Sequence, residues 1–126
     1  MSSEDTAIKH YYSLNPTDFH DLERFEIRQT NVSGAVSVVL QIELRAKESA
    51  DFRRLVLSFR GVRDLTFVPP ELSILCFWFL EIVPIADNQW EGINYRVFET
   101  EQDAELSFVC QDFEAEVVSP SDLVIV

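Results

Sequence analysis

His20 and Asp21 are the one histidine–carboxylate neighbour pair in the chain, with Asp18 and Glu23 close by. A histidine backed by a carboxylate suits acid–base or hydrolytic work, provided a nucleophile or substrate stands within hydrogen-bond reach. Adjacent residues on a strand point to opposite faces, so this spacing favours a polar turn or loop cluster over a catalytic pair. His10, beside Tyr11-Tyr12 in a terminal arm, is assigned no role. Cys76 and Cys110 each lie in an apolar, strand-like segment and could pair if those strands are neighbours, but packed, reduced thiols are the expectation. Two thiols and two histidines, none at ligand spacing, give no zinc site. The chain holds no glycine-rich phosphate loop, nucleophile elbow or paired-histidine metal motif. No cofactor is therefore expected, and the chain does not read as an enzyme.

Carboxylates are the abundant functional group, and their distribution is lopsided. Residues 1–63 hold nine acids and nine Lys/Arg, whereas residues 64–126 hold thirteen acids against Arg96 alone, so the whole net charge of −12 belongs to the second half. Glu99, Glu101, Asp103 and Glu105 step across a turn, and Asp112, Glu114 and Glu116 alternate along one strand face. A calcium loop needs six or more converging oxygens, usually with a glycine at the bend, and Glu-Thr-Glu-Gln-Asp lacks that. Alternate acids on a strand are the ordinary mark of a solvated face, or of a face that meets a basic partner. These seven carboxylates are the candidate partner-binding residues. The same field repels nucleic acid and anionic lipid. A counter-cluster, Arg45, Lys47, Arg53, Arg54, Arg60 and Arg63, lies within twenty residues. It reads as edge charges and salt bridges that discourage strand aggregation, or as a contact between subunits.

The elements that must position these groups are strands. Val36, Val38, Leu40, Ile42 and Leu44 alternate with Ser37, Gln41 and Glu43, and Phe25 and Ile27 alternate with Glu26 and Arg28. Asn31-Val32-Ser33-Gly34 between these runs predicts a β-hairpin. Leu55, Leu57 and Phe59 form another face; Gly61 interrupts it as a bulge or bend, and Val62, Leu65 and Phe67 resume it before Pro69-Pro70 ends the ladder. Residues 73–83 are apolar on both faces, which predicts a central strand or one that meets a second subunit. Within that run Phe77, Trp78 and Phe79, together with Phe108, are the candidates for an apolar interface or ligand pocket. Further strands are expected at Ile93–Glu99, Glu105–Gln111 and Phe113–Val118. Short helical turns are expected at Asn15–Asp18, with Asn15 as cap and Pro16 first in the turn, and near Ser49–Arg54.

The expectation is a single all-β domain over residues 1–126, an antiparallel β-sandwich or partly open barrel of seven to eight strands with little helix. A mobile N-terminal arm covers about residues 1–14 and an apolar tail residues 119–126. The first fifteen residues are polar, without the apolar core of a secretory signal, and the most apolar stretch is too short to span a bilayer and contains Glu81 and Pro84. A cytoplasmic location follows as an expectation.

One arrangement is familiar. His20-Asp21-Leu22 leads into Phe25-Glu26-Ile27-Arg28, the alternating strand at 36–44 follows, and then comes Leu57-Ser58-Phe59-Arg60-Gly61-Val62-Arg63-Asp64-Leu65-Thr66-Phe67. Over residues 18–118 this resembles the small β-rich bacterial immunity proteins of the "immunity protein 50" type. The resemblance implies a cytoplasmic antitoxin or an uncharacterised relative, not an enzyme; the charge distribution adds that the acidic half would cover a basic site on a protein partner, and the apolar run 73–83 is compatible with a homodimer. A small hydrophobic-ligand-binding β-barrel, with Phe77, Trp78, Phe79 and Phe108 lining its interior, is the alternative from another class.

Overall fold

The computed structural model describes residues 6–46, 52–68, 80–85, 93–99 and 105–119. Among these described residues, eight strands form two antiparallel sheets of four. The first two, β1 (Phe19–Val32) and β2 (Ala35–Ala46), make the hairpin that the alternation predicts. Its turn is the pair Ser33-Gly34, with φ of 54° and 81°, the left-handed conformation at both central positions that matches the natural twist of paired strands. β3 (Arg54–Arg60) pairs with β2, and β8 (Asp112–Val118) pairs with β3, completing a sheet ordered β1-β2-β3-β8. The second sheet is ordered β4-β7-β6-β5, from β4 (Arg63–Val68), β5 (Leu80–Pro84), β6 (Tyr95–Glu99) and β7 (Glu105–Cys110).

The chain passes between the sheets at one shared corner. Gly61, at φ +66°, turns β3 into β4, and Gln111 turns β7 into β8 beside it. Gln111 N–H donates to the Arg60 carbonyl at 2.8 Å, and Val62 N–H donates to that of Val38 at 3.1 Å. A Cβ on Gly61 would stand 2.7 Å from the Gln111 Cβ, so the close approach needs glycine.

Between the layers lie the residues that the period-two pattern assigned inward. Leu40, Ile42, Leu55, Leu57 and Phe59 are fully buried, facing Leu80, Ile82, Val97, Leu106 and Phe108 from the other sheet. Aromatic rings tie the layers: Phe59 meets Phe108 edge-on at 4.9 Å, Phe113 meets Tyr95 at 5.0 Å, and Phe25 stacks on Phe67 at 4.5 Å. The two edge-on pairs add to area burial because the positive edge of one ring meets the negative face of the other.

The expected N-terminal arm is different in its described part. Thr6–Ser13 is a helix, α1, closed by a 3₁₀ turn at Pro16–Asp18 whose preceding residue, Asn15, is left-handed and makes no side-chain cap. Tyr11 is wholly buried, and its hydroxyl donates to the Leu80 carbonyl on β5. The Tyr12 hydroxyl lies 3.3 Å from the Ile82 carbonyl and 3.2 Å from the Ile82 nitrogen. His10 Nε2–H donates to the Ala115 carbonyl on β8 at 2.9 Å. Among the described residues β5 and β8 are the outermost strands of their sheets on this side. The helix therefore bridges these two strands and occupies backbone groups that would otherwise invite another strand.

The expected strand over residues 73–83 is described only from Leu80, as β5. Leu80 and Ile82 face the core, and among the described residues β5 is the outermost strand of its sheet, beside α1; residues 73–79 of the expected strand lie outside those described. The helical turn near Ser49–Arg54 falls largely on residues outside those described, as does the tail from Pro120 onward.

A carboxylate-lined groove beside the edge strand

Strand register decides which acids are neutralised inside the molecule. On the outer face of the first sheet, Arg60 lies opposite Asp112, Ser58 opposite Glu114, and Val56 opposite Glu116. Only Asp112 has a cation across the ladder. Arg60 Nε donates to Asp112 Oδ1 at 2.6 Å, and its Nη1 reaches Glu114 Oε2 diagonally at 3.7 Å. The hydrogen bond to Asp112 holds the Arg60 guanidinium proton above its ordinary range. Glu114 remains 74% exposed despite the diagonal contact, and Glu116 makes no ion pair among the described residues.

These two carboxylates line a cavity of about 530 Å³ formed by α1, β3 and β8. Val56 and Ser58 make its floor, and Ala7 and His10, three apart on one helix face, make its wall. The hydrogen bond from His10 to Ala115 fixes that wall against β8. Residues two apart on a strand share a face about 6.5–7 Å apart. The site thus offers two negative charges beside an apolar strip from Val56 and Ala7. Lysine and arginine side chains have the matching form, an aliphatic stem carrying a charged head.

The rest of this outer face is a lattice of intramolecular pairs. Arg24 Nη2 contacts Glu26 at 3.0 Å and Arg24 Nη1 contacts Glu43 at 3.5 Å; Arg45 reaches Glu23 at 2.9 Å, and Arg54 lies near Glu23 and Glu43 at 4.0 and 3.9 Å. Apart from Glu43, these side chains are at least one-third exposed, so each such pair contributes roughly 0–1 kcal/mol. Within the basic cluster of the sequence, Arg45, Arg54 and Arg60 lie on the central strands β2 and β3, whereas Arg63 begins β4, the outermost described strand of the second sheet. Arg45, Arg54 and Arg60 meet acids of β1, β2 and β8 within one chain.

The seven candidate acids are not all brought together. Asp112, Glu114 and Glu116 share the outer face of β8, whereas Glu99 ends β6 in the other sheet, half-buried and in register with Leu80. Glu105 begins β7 opposite Val68, and Glu101 and Asp103 lie outside the described residues. Of the apolar candidates, Phe77, Trp78 and Phe79 also lie outside them. Phe108 is 1% exposed, fills the core against Phe59, and lines neither this groove nor the second cavity near the Gly61 corner. Asp21 sits opposite Arg45 where the β1 register breaks, and His20 precedes it in the same irregular stretch. Cys110 is a buried free thiol whose pKa burial pushes up to about 12, which keeps it protonated and inert as a nucleophile. His10, Ala7 and Val56 were missed by sequence reasoning; no periodic signal links a helix at the start of the chain to a strand one hundred residues later.

Among the described residues no group of three or more His, Cys, Asp or Glu is placed to hold a metal ion, and no helix is long and apolar enough to cross a membrane. No curated protein and no solved structure matches the chain. The family model of immunity protein PIM8 matches residues 3–116, a span that takes in α1, both sheets and the carboxylates of the groove. The sequence pattern pointed to the immunity protein 50 type, and the matching model agrees at the level of an immunity protein: the chain belongs to the family of immunity protein PIM8.

Proposed function

We propose that this chain neutralises a protein toxin by binding it, without catalysis, through the groove between α1 and the β3–β8 pair. Family membership supports an immunity role. The observation that carries the choice of surface is the register that leaves Glu114 and Glu116 facing Ser58 and Val56 instead of arginines. A lysine or arginine of the toxin lays its stem on Val56 and Ala7 and places its head between the two carboxylates. The excess negative charge of the second half of the chain draws a basic partner in and speeds encounter. On this reading the protein acts in the cytoplasm and the partner is a basic protein, engaged with no cofactor.

The test is capture from the source cells with tagged wild-type protein and with a Glu114→Lys/Glu116→Lys variant, each washed at low and high salt. The expected result is a basic protein retained by the wild type at low salt, shed at high salt, and lost by the variant. Equal retention of that protein by both forms would place the binding surface elsewhere.

A further inference from the structure

We propose that two copies of this chain associate through β1, edge to edge, joining their first sheets into one continuous sheet. Among the described residues no strand lies beyond β1, which at fourteen residues is the longest strand of the fold. A long edge with unpaired backbone groups is a template for strand addition. Beyond the register breaks at Phe19/Asp21 and Leu22/Arg24, its pairing with β2 is regular from Arg24 to Val32, so that stretch is straight enough to accept a neighbour.

The side chains of this stretch select a second copy as the neighbour. An antiparallel pair of identical strands has a two-fold axis at one residue, and partners across it share a face. With the axis at Ile27, Glu26 of each copy lies opposite Arg28 of the other, and Ile27 meets Ile27. Moving the axis to residue 26 sets Glu26 against Glu26 and Arg24 against Arg28, while moving it to residue 28 sets Arg28 against Arg28. An axis at Phe25 would match Arg24 with Glu26, but it runs into the register break at Leu22/Arg24 after one such pair, and the Phe25 ring is already stacked on Phe67. The Ile27 register is the one that pairs opposite charges along regular strand.

Exposure agrees with it. Ile27 is 50% exposed at the proposed axis, an unusual setting for an isoleucine beside the fully buried Leu40. Arg28 is 58% exposed, and its contact to Glu26 within the chain is long, 3.9 Å, which leaves the guanidinium available across the axis. The edge also belongs to the half of the chain in which acids and bases cancel. The paired strands themselves therefore carry none of the net negative charge of the second half. The groove beside β8, at the opposite edge of the same sheet, remains open in both.

Sedimentation equilibrium over a concentration series tests this with four samples: wild type, Glu26→Arg, Arg28→Glu, and an equimolar mixture of the two variants. Circular dichroism first establishes that each variant is folded. The wild type is expected to reach twice its 14.5 kDa mass. Each reversal puts two pairs of like charges opposite one another and raises the dimer dissociation constant about tenfold or more. The mixture restores both opposite-charge pairs and recovers wild-type affinity. A wild type that stays monomeric throughout the series, reversals that leave the dissociation constant unchanged, or a mixture no tighter than either variant alone would each overturn the proposal.

Discussion

Replacing Gly61 with alanine should be the most damaging single-methyl change in the described structure, and its size follows from two separable terms. Gly61 sits at φ +66°, where a Cβ costs about 1–2 kcal/mol. The new methyl would also stand 2.7 Å from Gln111 Cβ and 3.0 Å from its Oε1. The amide end can swing away, but the Cβ cannot. Gln111 N–H is held by the Arg60 carbonyl at 2.8 Å, and its own carbonyl accepts from Asn94 Nδ2 at 2.8 Å. Overpacking of this kind costs about 1–3 kcal/mol. Together the terms give about 3 kcal/mol, or a fall in Tm of roughly 10 °C for a domain of this size. Gly34 supplies the control: it has φ +81° but nothing within 4 Å of a built Cβ, so Gly34→Ala bears the backbone cost alone, about 1 kcal/mol. Urea melts of the two variants isolate the steric term as their difference. If Gly61→Ala is no more destabilising than Gly34→Ala, the account of the shared corner is wrong.

Other substitutions probe the clasp, the core thiol and the outer face. Tyr11→Phe removes the donor to the Leu80 carbonyl and should cost about 1–3 kcal/mol at neutral pH, read from urea midpoints. Burial also raises the pKa of Tyr11 above its ordinary 10.0, and that of Cys110 from 9.0, so the folded state holds these protons more tightly than the unfolded one. Their stability is fully present below pH 9, begins to fall above it as Cys110 ionises in the unfolded chain, and falls faster above pH 10; Tyr11→Phe should flatten the second part of that decline. Cys110 should resist alkylation in the folded protein and react on addition of urea, with a Cys76→Ser background isolating its signal by mass spectrometry. A double-mutant cycle on Arg60→Ala and Asp112→Ala should return a coupling of about 1 kcal/mol or less, because both side chains are nearly half exposed; a coupling several times larger would mean that the outer face is a structural network.

The parts of the fold that were legible in the sequence are those where one face is buried and the other wet. β2 and β3 announce themselves because Leu40, Ile42 and Leu44, and Leu55, Leu57 and Phe59, recur at every second position, with Gln41, Glu43 and Ser58 among the residues between them. Ser33-Gly34 and Gly61 announce the turn and the bend because their backbone conformations suit few other residues. The split into two sheets was not legible, since both sheets write the same period of two, and only the corner at Gly61 and Gln111 shows where the chain changes layer. The helix was missed for a different reason. Thr6–Ser13 has no acidic residue in its first turn and no long apolar stripe; it is held by Tyr11, Tyr12 and His10 reaching β5 and β8, contacts made across 69 to 105 residues. The acidic β8 face was legible as alternating Asp112, Glu114 and Glu116. What separates Asp112 from the other two is register against β3, which sequence pattern alone does not specify.

The central claim is that this protein protects by covering a basic toxin with the groove that holds Glu114 and Glu116. The most direct measurement is growth of cells producing the captured partner, alone, with the wild type, and with the folded Glu114→Lys/Glu116→Lys variant. The account predicts arrest with the partner alone, growth with the wild type, and renewed arrest with the variant. Full protection by the variant would contradict it, because the toxin would then be held by some other face of the molecule.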